Sequence, residues 1–396
     1  MKNRTALTLI FLTVFIDLLG FGILIPILPT FATIKLKMDE TMIGVVLAAY
    51  SFMQFLFNPL LGKLSDKYGR KPIITICLFL NAVGYVIFAF TRSFEVLIIS
   101  RIVGGIGGSS VSVAMAYIAD ITTKENRAHG MGLIGAAFGL GFVFGPLIGG
   151  ILSKYGYPVT GFGSAAFSFI AFLTTLMFLP ETNINVKKSK EDVRKILDVG
   201  ALKKVFTHPS LGVLIILFFI QTFAMANIYG TFALIGYEHY HFTDMQNGLM
   251  YGILGLVSAI VQGGLLKLFT KYMDQKLLLK FGSFTMMLGL ALIPYGINFA
   301  GLAVIVSLLS LGSGILQPTL LSMISTIAPS TEQGITLGTN QSMSSLARVL
   351  GPFWGGFVFQ YLGYQWPFLT GGIVLLFIVG ASFFYIPKKL NTAVTS

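Results

Sequence analysis

Long apolar stretches separated by short polar connections run along the whole chain. Twelve of these stretches approach the 20 or so residues that an α-helix needs to cross roughly 30 Å of hydrocarbon. They lie at about 6–30, 41–61, 73–91, 95–118, 129–151, 162–180, 211–236, 246–266, 277–297, 301–326, 334–361 and 366–386. The pattern predicts an all-α membrane protein with twelve transmembrane helices.

One polar segment is much longer than the others and divides the predicted helices into six and six. It contains no apolar run long enough to cross a membrane, and its Lys and Arg are typical of a solvated linker, with a lipid or partner site as the alternative. The predicted organisation is an N-terminal six-helix bundle at 1–180, a cytoplasmic linker at 181–210 and a C-terminal six-helix bundle at 211–396.

Internal repetition supports this division into halves. The segment G-P-L-I-G-G at 145–150 is matched by G-P-F-W-G-G at 351–356, which lies 206 residues later. The segment K-L-S-D-K-Y at 63–68 has a weaker counterpart, K-L-F-T-K-Y, at 267–272, which lies 204 residues later. Two matches at nearly the same spacing indicate two pseudo-symmetric halves, as in transporters built from parallel repeats.

The distribution of charge predicts the orientation. Only 11% of residues are charged, against about 25% in soluble domains. If both termini are cytoplasmic, 21 of the 27 Lys and Arg face the cytoplasm, four face outward (Lys35, Lys37, Arg92 and Lys154), and Arg101 and Arg348 lie within helices. This positive-inside bias predicts a multi-pass protein of the bacterial inner or plasma membrane. The net charge of +12 therefore indicates attraction to lipid headgroups, with no nucleic-acid partner.

Cysteine and the N-terminal segment add two constraints. Cys77 is the only cysteine, so no intrachain disulfide is possible, and its place in the third helix predicts burial. The first apolar run follows Lys2 and Arg4 but is too long for a signal peptide and has no small-residue cleavage site. We expect it to remain as the first helix.

The connection between the second and third predicted helices, at residues 62–72, reads G-K-L-S-D-K-Y-G-R-K-P. It resembles the signature loop of the major facilitator superfamily of secondary transporters, and Gly62 and Gly69 would permit close approach and a tight turn. The resemblance implies that the Asp of this loop contacts the positive end of a helix in the other half, and that its Arg pairs with an acid ending the fourth helix. These residues form a conformational latch in the family and correspond here to Asp66, Arg70 and Asp120.

A second block places an ionisable pair inside the membrane. Residues 17–29 are similar to the first helix of the twelve-span drug:proton antiporters, especially tetracycline exporters and multidrug efflux proteins, and Arg101 with Gly105 matches the family pattern R-x-x-x-G. Asp17 is the only one of the 15 acidic residues that we place deep in a helix. Burial disfavours the charged carboxylate, so such a group can exchange a proton near neutral pH. We expect Asp17 and Arg101 to couple transport to protons; a permanent structural pair with Arg101 or Arg348 is the alternative.

A third block lies in the fifth predicted helix and ends G-x-x-x-G-P-x-x-G-G, which resembles the signature of exporters, chiefly proton-linked drug antiporters. Small residues at this spacing let helices touch closely, and the proline kinks its helix. The motif residues are Gly135, Gly139, Gly145, Pro146, Gly149 and Gly150.

Other patterns exclude several functions. Tetracycline exporters of this type carry acids in the third and ninth helices and a histidine in the eighth, whereas 73–91 and 277–297 contain no Asp or Glu and 246–266 contains no His. Tetracycline is therefore not expected as the dedicated substrate. The chain has no G-x-x-x-x-G-K-[ST] motif, so we expect no ATP-driven activity. No nucleophile–base or metal-ligand cluster indicates an enzyme.

These features together predict a proton-driven antiporter that exports lipophilic, often cationic compounds by alternating access. The expected partners are a small-molecule substrate and the bilayer, the protein is expected to be a monomer, and the proton replaces any cofactor. The alternatives are an exporter of a dedicated solute (a sugar, a metal or a metal complex) and a non-pumping sensor or lipid-handling protein. Candidate polar residues of an aromatic cavity between the halves are Gln54, Gln221, Asn227, Tyr229, Tyr251, Gln317, Asn340, Gln341 and Arg348.

The positive-inside bias makes a topological prediction. Reporter fusions placed after residue 190 and after residue 240 should report cytoplasm and exterior respectively, because the Lys and Arg distribution places both termini in the cytoplasm. Activities of a cytoplasmic and a periplasmic reporter at the two positions are the measurement. The opposite labels would overturn the orientation.

Overall fold

The computed structural model describes residues 2–122, 127–182, 209–328 and 333–384, and these ranges are all-helical. Twelve helices occupy them, as predicted. They are α1 Lys2–Leu36, α2 Glu40–Tyr68, α3 Arg70–Ala89, α4 Phe94–Ile121, α5 Arg127–Leu152, α6 Tyr157–Phe178, α7 Pro209–Glu238, α8 Asp244–Tyr272, α9 Gln275–Leu292, α10 Phe299–Ile327, α11 Gln333–Leu362 and α12 Trp366–Phe384. Most of the predicted linker, residues 183–208, lies outside the described ranges, and the domain boundaries stay a prediction.

Ten of the described helices are long and apolar enough to cross a membrane, and α12 contains a shorter apolar helix. Helix α11 is as long as the others but carries more polar side chains. Two helices are irregular: α4 is interrupted by a turn at Gly108 and Ser109, and α8 contains a π-helical turn at Val261–Leu265.

The connections are short, and polar side chains cap several helix starts. Asp39 accepts a hydrogen bond from the backbone N–H of Met42 at 2.7 Å, and Asp274 accepts one from Leu277 at 2.7 Å. The predicted loop at 62–72 is mostly helical instead. Helix α2 continues to Tyr68, and a single residue, Gly69, with φ of 104°, reverses the chain into α3. An L-side chain rarely adopts this φ, so glycine is required there.

Helix packing repeats between the two halves. In the first half, α1 packs on α5 and α6, α3 on α4 and α6, and α2 on α4; in the second, α7 packs on α11 and α12, α9 on α10 and α12, and α8 on α10. Adding six to each helix number of the first set gives the second. The two six-helix bundles are therefore pseudo-symmetric, as the sequence repeats predicted.

The bundles meet through two equivalent pairs, α5 with α8 and α2 with α11. The repeated Gly-Pro segments lie at these contacts. A Cβ atom added at Gly44 of α2 would lie 2.5 Å from the carbonyl oxygen of Pro352, and one added at Gly248 of α8 would collide with the carbonyl oxygen of Pro146. The helices therefore touch backbone to backbone, which only small residues permit.

These contacts loosen along the helices. We call the end of the bundle where α1 starts and α12 ends the terminal face, and the end that carries the α1–α2 and α7–α8 turns the opposite face. A Cβ added at Gly150, at the opposite face of α5, would lie 2.9 Å from the Met245 Cα of α8. At Gly139 the nearest described atom is Ala259 Cβ at 4.0 Å, and at Gly135 none lies within 4 Å. The interface is a wedge that opens toward the terminal face.

The interface between α2 and α11 also widens toward the terminal face. Gly62 of α2 and Gly338 of α11 lie near the terminal face, and no described atom comes within 4 Å of a Cβ added at either. The apolar clusters agree: one cluster joins the opposite-face half of the first bundle to the second bundle, whereas the terminal-face half of the first bundle forms a separate cluster that includes no described residue of the second. The space between the bundles therefore widens from the opposite face toward the terminal face.

Substitution of an interface glycine should change this arrangement. Gly248→Val places side-chain atoms against the Pro146 carbonyl, and overpacking of this kind costs about 1–3 kcal/mol. We expect α5 and α8 to separate at the opposite face. Spin labels at the exposed positions Lys154 and His241, on a Cys77→Ala background, should report longer distances by pulsed electron resonance.

The matched control is Gly263→Val, because no described atom lies within 4 Å of a Cβ at that position of the same helix. Its distance distribution should match that of the parent. An unchanged distribution in Gly248→Val would contradict the backbone-to-backbone contact.

Candidate functional site

Asp17 of α1 lies in the core of the first bundle, and its side chain is 4% exposed. Its carboxylate accepts four hydrogen bonds from neutral donors. Asn81 Nδ2 lies 3.0 Å from each oxygen, Ser110 Oγ lies 3.1 Å from Oδ2, and Ser168 Oγ lies 2.8 Å from Oδ1. One ionisable group thus connects α1 to α3, α4 and α6.

The break in α4 brings these donors together. Ser110 begins the second part of α4, directly after the turn. A Cβ added at Gly107 would lie 2.6 Å from the backbone nitrogen of Asn81, and Gln54 Nε2 donates to the carbonyl oxygen of Gly108 at 3.0 Å. Sequence reasoning missed the donors to Asp17. Asn81 alone carried a signal, because it is an amide in an otherwise apolar run, whereas serines are common in membrane helices.

Arg101 is not the partner of Asp17, which corrects the pairing that the sequence suggested. The described ranges contain no ion pair to Asp17. The Arg101 guanidinium donates to Ser100 Oγ at 2.9 Å and lies 5.6 and 6.0 Å from the ring centres of Phe88 and Tyr85. Its Nε is buried without a hydrogen-bond partner. Aromatic faces, together with one serine, stabilise this buried cation.

Arg348 lies on α11 one helical turn before Pro352, which contacts Gly44 of α2 in the other bundle. Its Nη1 and Nη2 donate to Ser344 Oγ and Ser345 Oγ, each at 3.1 Å, and its side chain is partly exposed. No carboxylate pairs with it within the described ranges. The side chains of Tyr229 and Tyr50 lie near the guanidinium.

Tyr50 of α2 links these charges. Its side chain lies near Asp17, Arg101 and Arg348. The sequence analysis did not single it out, because tyrosine is common in apolar helices. The structure places it near both the buried carboxylate of Asp17 and the guanidinium of Arg348, which belongs to the second bundle.

Aromatic rings continue from Tyr50 across both bundles. Phe21 of α1 stacks on Tyr50 with ring centres 5.1 Å apart and contacts Phe142 of α5 at 6.1 Å; Phe142 lies 6.3 Å from Tyr229 of α7. Phe138 extends the row, 6.4 Å from Phe142. This row of five rings, which we call the aromatic wall, lies where the sequence predicted an aromatic cavity.

The remaining polar residues that the sequence proposed for the cavity differ in burial and in hydrogen-bond partners. Asn227 Nδ2 donates to the carbonyl oxygen of Pro367 at 2.5 Å, and the Tyr251 hydroxyl donates to that of Tyr229 at 2.7 Å. Both side chains are buried and join helices of the second bundle, so they are packing residues. Gln221 and Asn340 are also buried, and Gln317 and Gln341 are exposed. Gln54 and Tyr50 both lie against Gly108, and Arg348 lies near Tyr229 and Tyr50.

The exporter motif packs on two helices at once. A Cβ added at Gly145 would lie 2.6 Å from Gly22 Cα, and one at Gly149 would collide with the Ile23 backbone of α1, while Pro146 and Gly150 face α8. The repeated segment at 351–356 contacts α7 and α2 in the same way. The motif is thus a packing device, and its part in antiport stays a prediction.

The predicted latch is centred on Arg70. Its Nη2 lies 2.5 Å from Asp66 Oδ1, its Nε lies 2.9 Å from Asp120 Oδ2, and its Nη1 donates to Ser65 Oγ at 2.6 Å. The pairing of Arg70 with Asp120 agrees with the family pattern. The contact of Asp66 with the other bundle stays a prediction, because the side chains at the start of α11 lie outside the described residues.

Glu181 completes the latch and was missed, because the sequence assigned it to the linker. Its carboxylate accepts from the backbone N–H groups of Arg70 and Lys71 at 3.0 and 3.1 Å. These are the unpaired donors at the start of α3, where negative charge is stabilised. A Cβ added at Gly69 would lie 2.5 Å from Glu181 Oε2. The latch glycine therefore makes room for a carboxylate as well as for the turn.

Two polar contacts join the bundles at the opposite face. Thr30 of α1 donates to Asp244 Oδ1 of α8 at 2.7 Å, and Gln360 Oε1 of α11 accepts from the backbone N–H of Thr41 of α2 at 3.3 Å. Both lie at the first turn of a helix, α8 in one case and α2 in the other. They supplement the glycine contacts that close this face.

Comparison with known proteins gives consistent matches. The family model of the Major Facilitator Superfamily matches residues 10–352 and 276–396. Multidrug resistance protein 2 of Bacillus subtilis (strain 168) is 26% identical over 395 residues, covering 99% of this chain and 98% of the relative. The class E tetracycline resistance protein of Escherichia coli is 30% identical over 388 residues, with 95% and 94% covered. The crystal structure of the human organic anion transporter MFSD10 matches with a TM-score of 0.71 at 26% identity, covering 96% of this chain and 100% of that one.

The geometry of the latch predicts a ranking of variants. The Arg70 side chain is 11% exposed and contacts three side chains, whereas Asp66 is 62% exposed. Arg70→Ala should lower stability by about 2 kcal/mol and Asp66→Asn by less than about 1 kcal/mol. Both, like Asp120→Asn, should reduce transport if the latch stabilises one state. Thermal unfolding and transport of purified, reconstituted protein are the measurements.

Lys71→Ala is the matched control, since it removes the same charge from the neighbouring residue, whose contact with Glu181 is made by the backbone. It should behave like the parent in both assays. Full transport activity in well-expressed Asp66→Asn protein would contradict the latch role.

Proposed function

The chain belongs to the Major Facilitator Superfamily, and we propose that it is a membrane antiporter that exports lipophilic small molecules in exchange for protons. The observation that carries the proposal is Asp17, a carboxylate buried in a membrane helix and bound only by neutral donors. A buried carboxylate without a counter-ion is costly to keep ionised, so it is suited to exchanging a proton.

Protonation of Asp17 would change the contacts of α4. The carboxylate accepts from Asn81, Ser110 and Ser168. A protonated carboxyl becomes a donor at one oxygen, so at least one of these hydrogen bonds must be lost or reversed. Release of Ser110 would free the second part of α4 from α1, and α4 also packs on α2, which carries Tyr50. A change in the protonation of Asp17 would thus reach Tyr50 through α4 and α2, and no Asp17–Arg101 ion pair is needed.

The wedge between the bundles is the second support. We assign the terminal face to the cytoplasm, because the latch side of the chain carries most of the Lys and Arg. The cavity would then be open to the cytoplasm, which is the state in which an exporter loads its cargo. Release of the cargo to the outside requires that the α5–α8 and α2–α11 contacts separate and that the Thr30–Asp244 hydrogen bond breaks. The glycine-lined faces of the same helices near the latch must then come together.

The multidrug and tetracycline resistance relatives favour export of toxic compounds and a role in antibiotic resistance. The cavity-lining aromatic wall suits a lipophilic cargo. The sequence analysis also predicted an often cationic cargo. That expectation has little support in the arrangement of charge, because three neutral donor groups already bind the Asp17 carboxylate, while two guanidinium groups lie nearby.

Asp17→Asn should abolish proton coupling, because the amide cannot exchange a proton. We expect the variant to bind a neutral lipophilic dye but fail to concentrate it in inverted membrane vesicles when a pH gradient is imposed. Dye accumulation with and without the gradient is the measurement. Glu95→Gln, which makes the same chemical change at an exposed position, is the control and should transport normally. Gradient-driven accumulation by Asp17→Asn would show that coupling lies elsewhere.

A further inference from the structure

The charges around the cavity do not balance. Asp17, Arg101 and Arg348 all lie near Tyr50, which gives two cations and one acid. The acid is the buried group that exchanges protons in the proposed mechanism, and no described carboxylate pairs with either guanidinium. Uncompensated positive charge in a membrane interior is costly, and such residues face a cavity or a ligand. The region is therefore suited to a group that carries negative charge.

The two guanidinium groups differ in access. Arg101 is 3% exposed and lies against the rings of Phe88 and Tyr85, and its Nε is buried without a partner. Arg348 is partly exposed, and no N–H of its guanidinium is buried without a partner. Arg348 is the cation that a ligand in the cavity can reach.

Arg348 also has unused donors in the described part of the chain. A guanidinium has five N–H groups, and two of these, one on each terminal nitrogen, donate to Ser344 and Ser345. The two serine contacts fix the orientation of the side chain. Three N–H groups remain for an acceptor, and the planar guanidinium is suited to a bidentate carboxylate.

We propose that Arg348, with the Tyr229 and Tyr50 hydroxyls beside it, binds the carboxylate of an amphiphilic cargo whose apolar part lies along the aromatic wall. The subsite deepens the proposed function by naming the class of cargo, and it rests on that function only for the statement that the ligand is transported. A carboxylate there would neutralise one of the two cations, whereas a cationic cargo would add a third. The two bundles would both contact the ligand, because Arg348 and Tyr229 belong to the second and Tyr50 to the first.

The test is a binding measurement, so it does not depend on transport. The probes are dansylglycine, whose carboxylate is its only charge at neutral pH, and its methyl ester. Binding to the full-length protein in phosphatidylcholine nanodiscs is followed by dansyl fluorescence. We expect the acid to bind at least about tenfold more tightly than the ester, as a charge-assisted hydrogen bond provides. In Arg348→Gln the acid should lose this advantage while the affinity for the ester stays the same.

Three further variants make the assignment specific. Arg348→Lys keeps the charge without the planar fork and should retain part of the preference. Arg92→Gln removes a guanidinium from an exposed position and should leave the preference intact. A preference that survives Arg348→Gln, or that is lost only in Arg101→Gln, would overturn the assignment, as would equal binding of acid and ester to the parent protein. Thermal unfolding identifies any variant that has lost its fold, and Arg348→Lys then carries the test.

A lipid could supply the same negative charge, so the assay is repeated with phosphatidylglycerol in the nanodisc. Unchanged dansylglycine affinity supports a cargo site, and full displacement by the anionic lipid would show a lipid site instead and overturn the proposal. If the acid binds through Arg348 but the parent protein does not transport it in vesicles, the binding inference stands and the proposed export fails.

Discussion

Close backbone contact between α5 and α8, and between α2 and α11, is the constraint on which the rest of the structure depends. At Gly44, Gly150 and Gly248 a single Cβ atom would meet the backbone of the opposite bundle. Lipid tails are as apolar as the side chains of the bundles, so close packing rather than the hydrophobic effect must join the halves. The contacts run from the opposite face to the middle of the helices, where a Cβ at Gly255 would meet the Phe142 backbone, and the halves diverge from there toward the terminal face. The widening space between the halves and the approach of Tyr50 to Arg348 follow from this geometry.

Within the first bundle, hydrogen bonds stabilise the Asp17 carboxylate at a position that is buried from water. Asp17 is surrounded by an amide and two hydroxyls, each from a different helix. Neutral donors stabilise the carboxylate without the strong preference for ionisation that a guanidinium would impose, so both protonation states stay accessible. Arg101, which the sequence suggested as the partner, is stabilised by aromatic rings instead. Asp17 and Arg101 therefore form no ion pair with each other in the described residues.

At the terminal face, the latch also joins several helix ends through a few side chains. Arg70 joins the ends of α2 and α4, while Glu181 binds the start of α3 from the end of the first bundle. Asp66, Asp120 and Glu181 together hold the α2–α3 turn in one position. The turn joins α2, which contacts α11 of the other bundle, to α3 of its own bundle.

The sequence by itself determined the twelve helices, their grouping into two repeated bundles and the burial of Asp17, since these follow from local hydrophobicity and repetition. The resemblance of residues 62–72 to the signature loop of the superfamily implied the Arg70–Asp120 pairing. Apolar periodicity and the bilayer act on each helix separately, so they can be read along the chain. The tertiary structure alone decided which donors bind Asp17, that Arg101 stacks on rings, that Glu181 caps α3 and that Arg348 is accessible. These depend on distances between residues such as Asp17 and Ser168, 151 positions apart, and on the rotation of each helix about its axis. No local pattern specifies that rotation, because it is set by how glycines and side chains of neighbouring helices fit together.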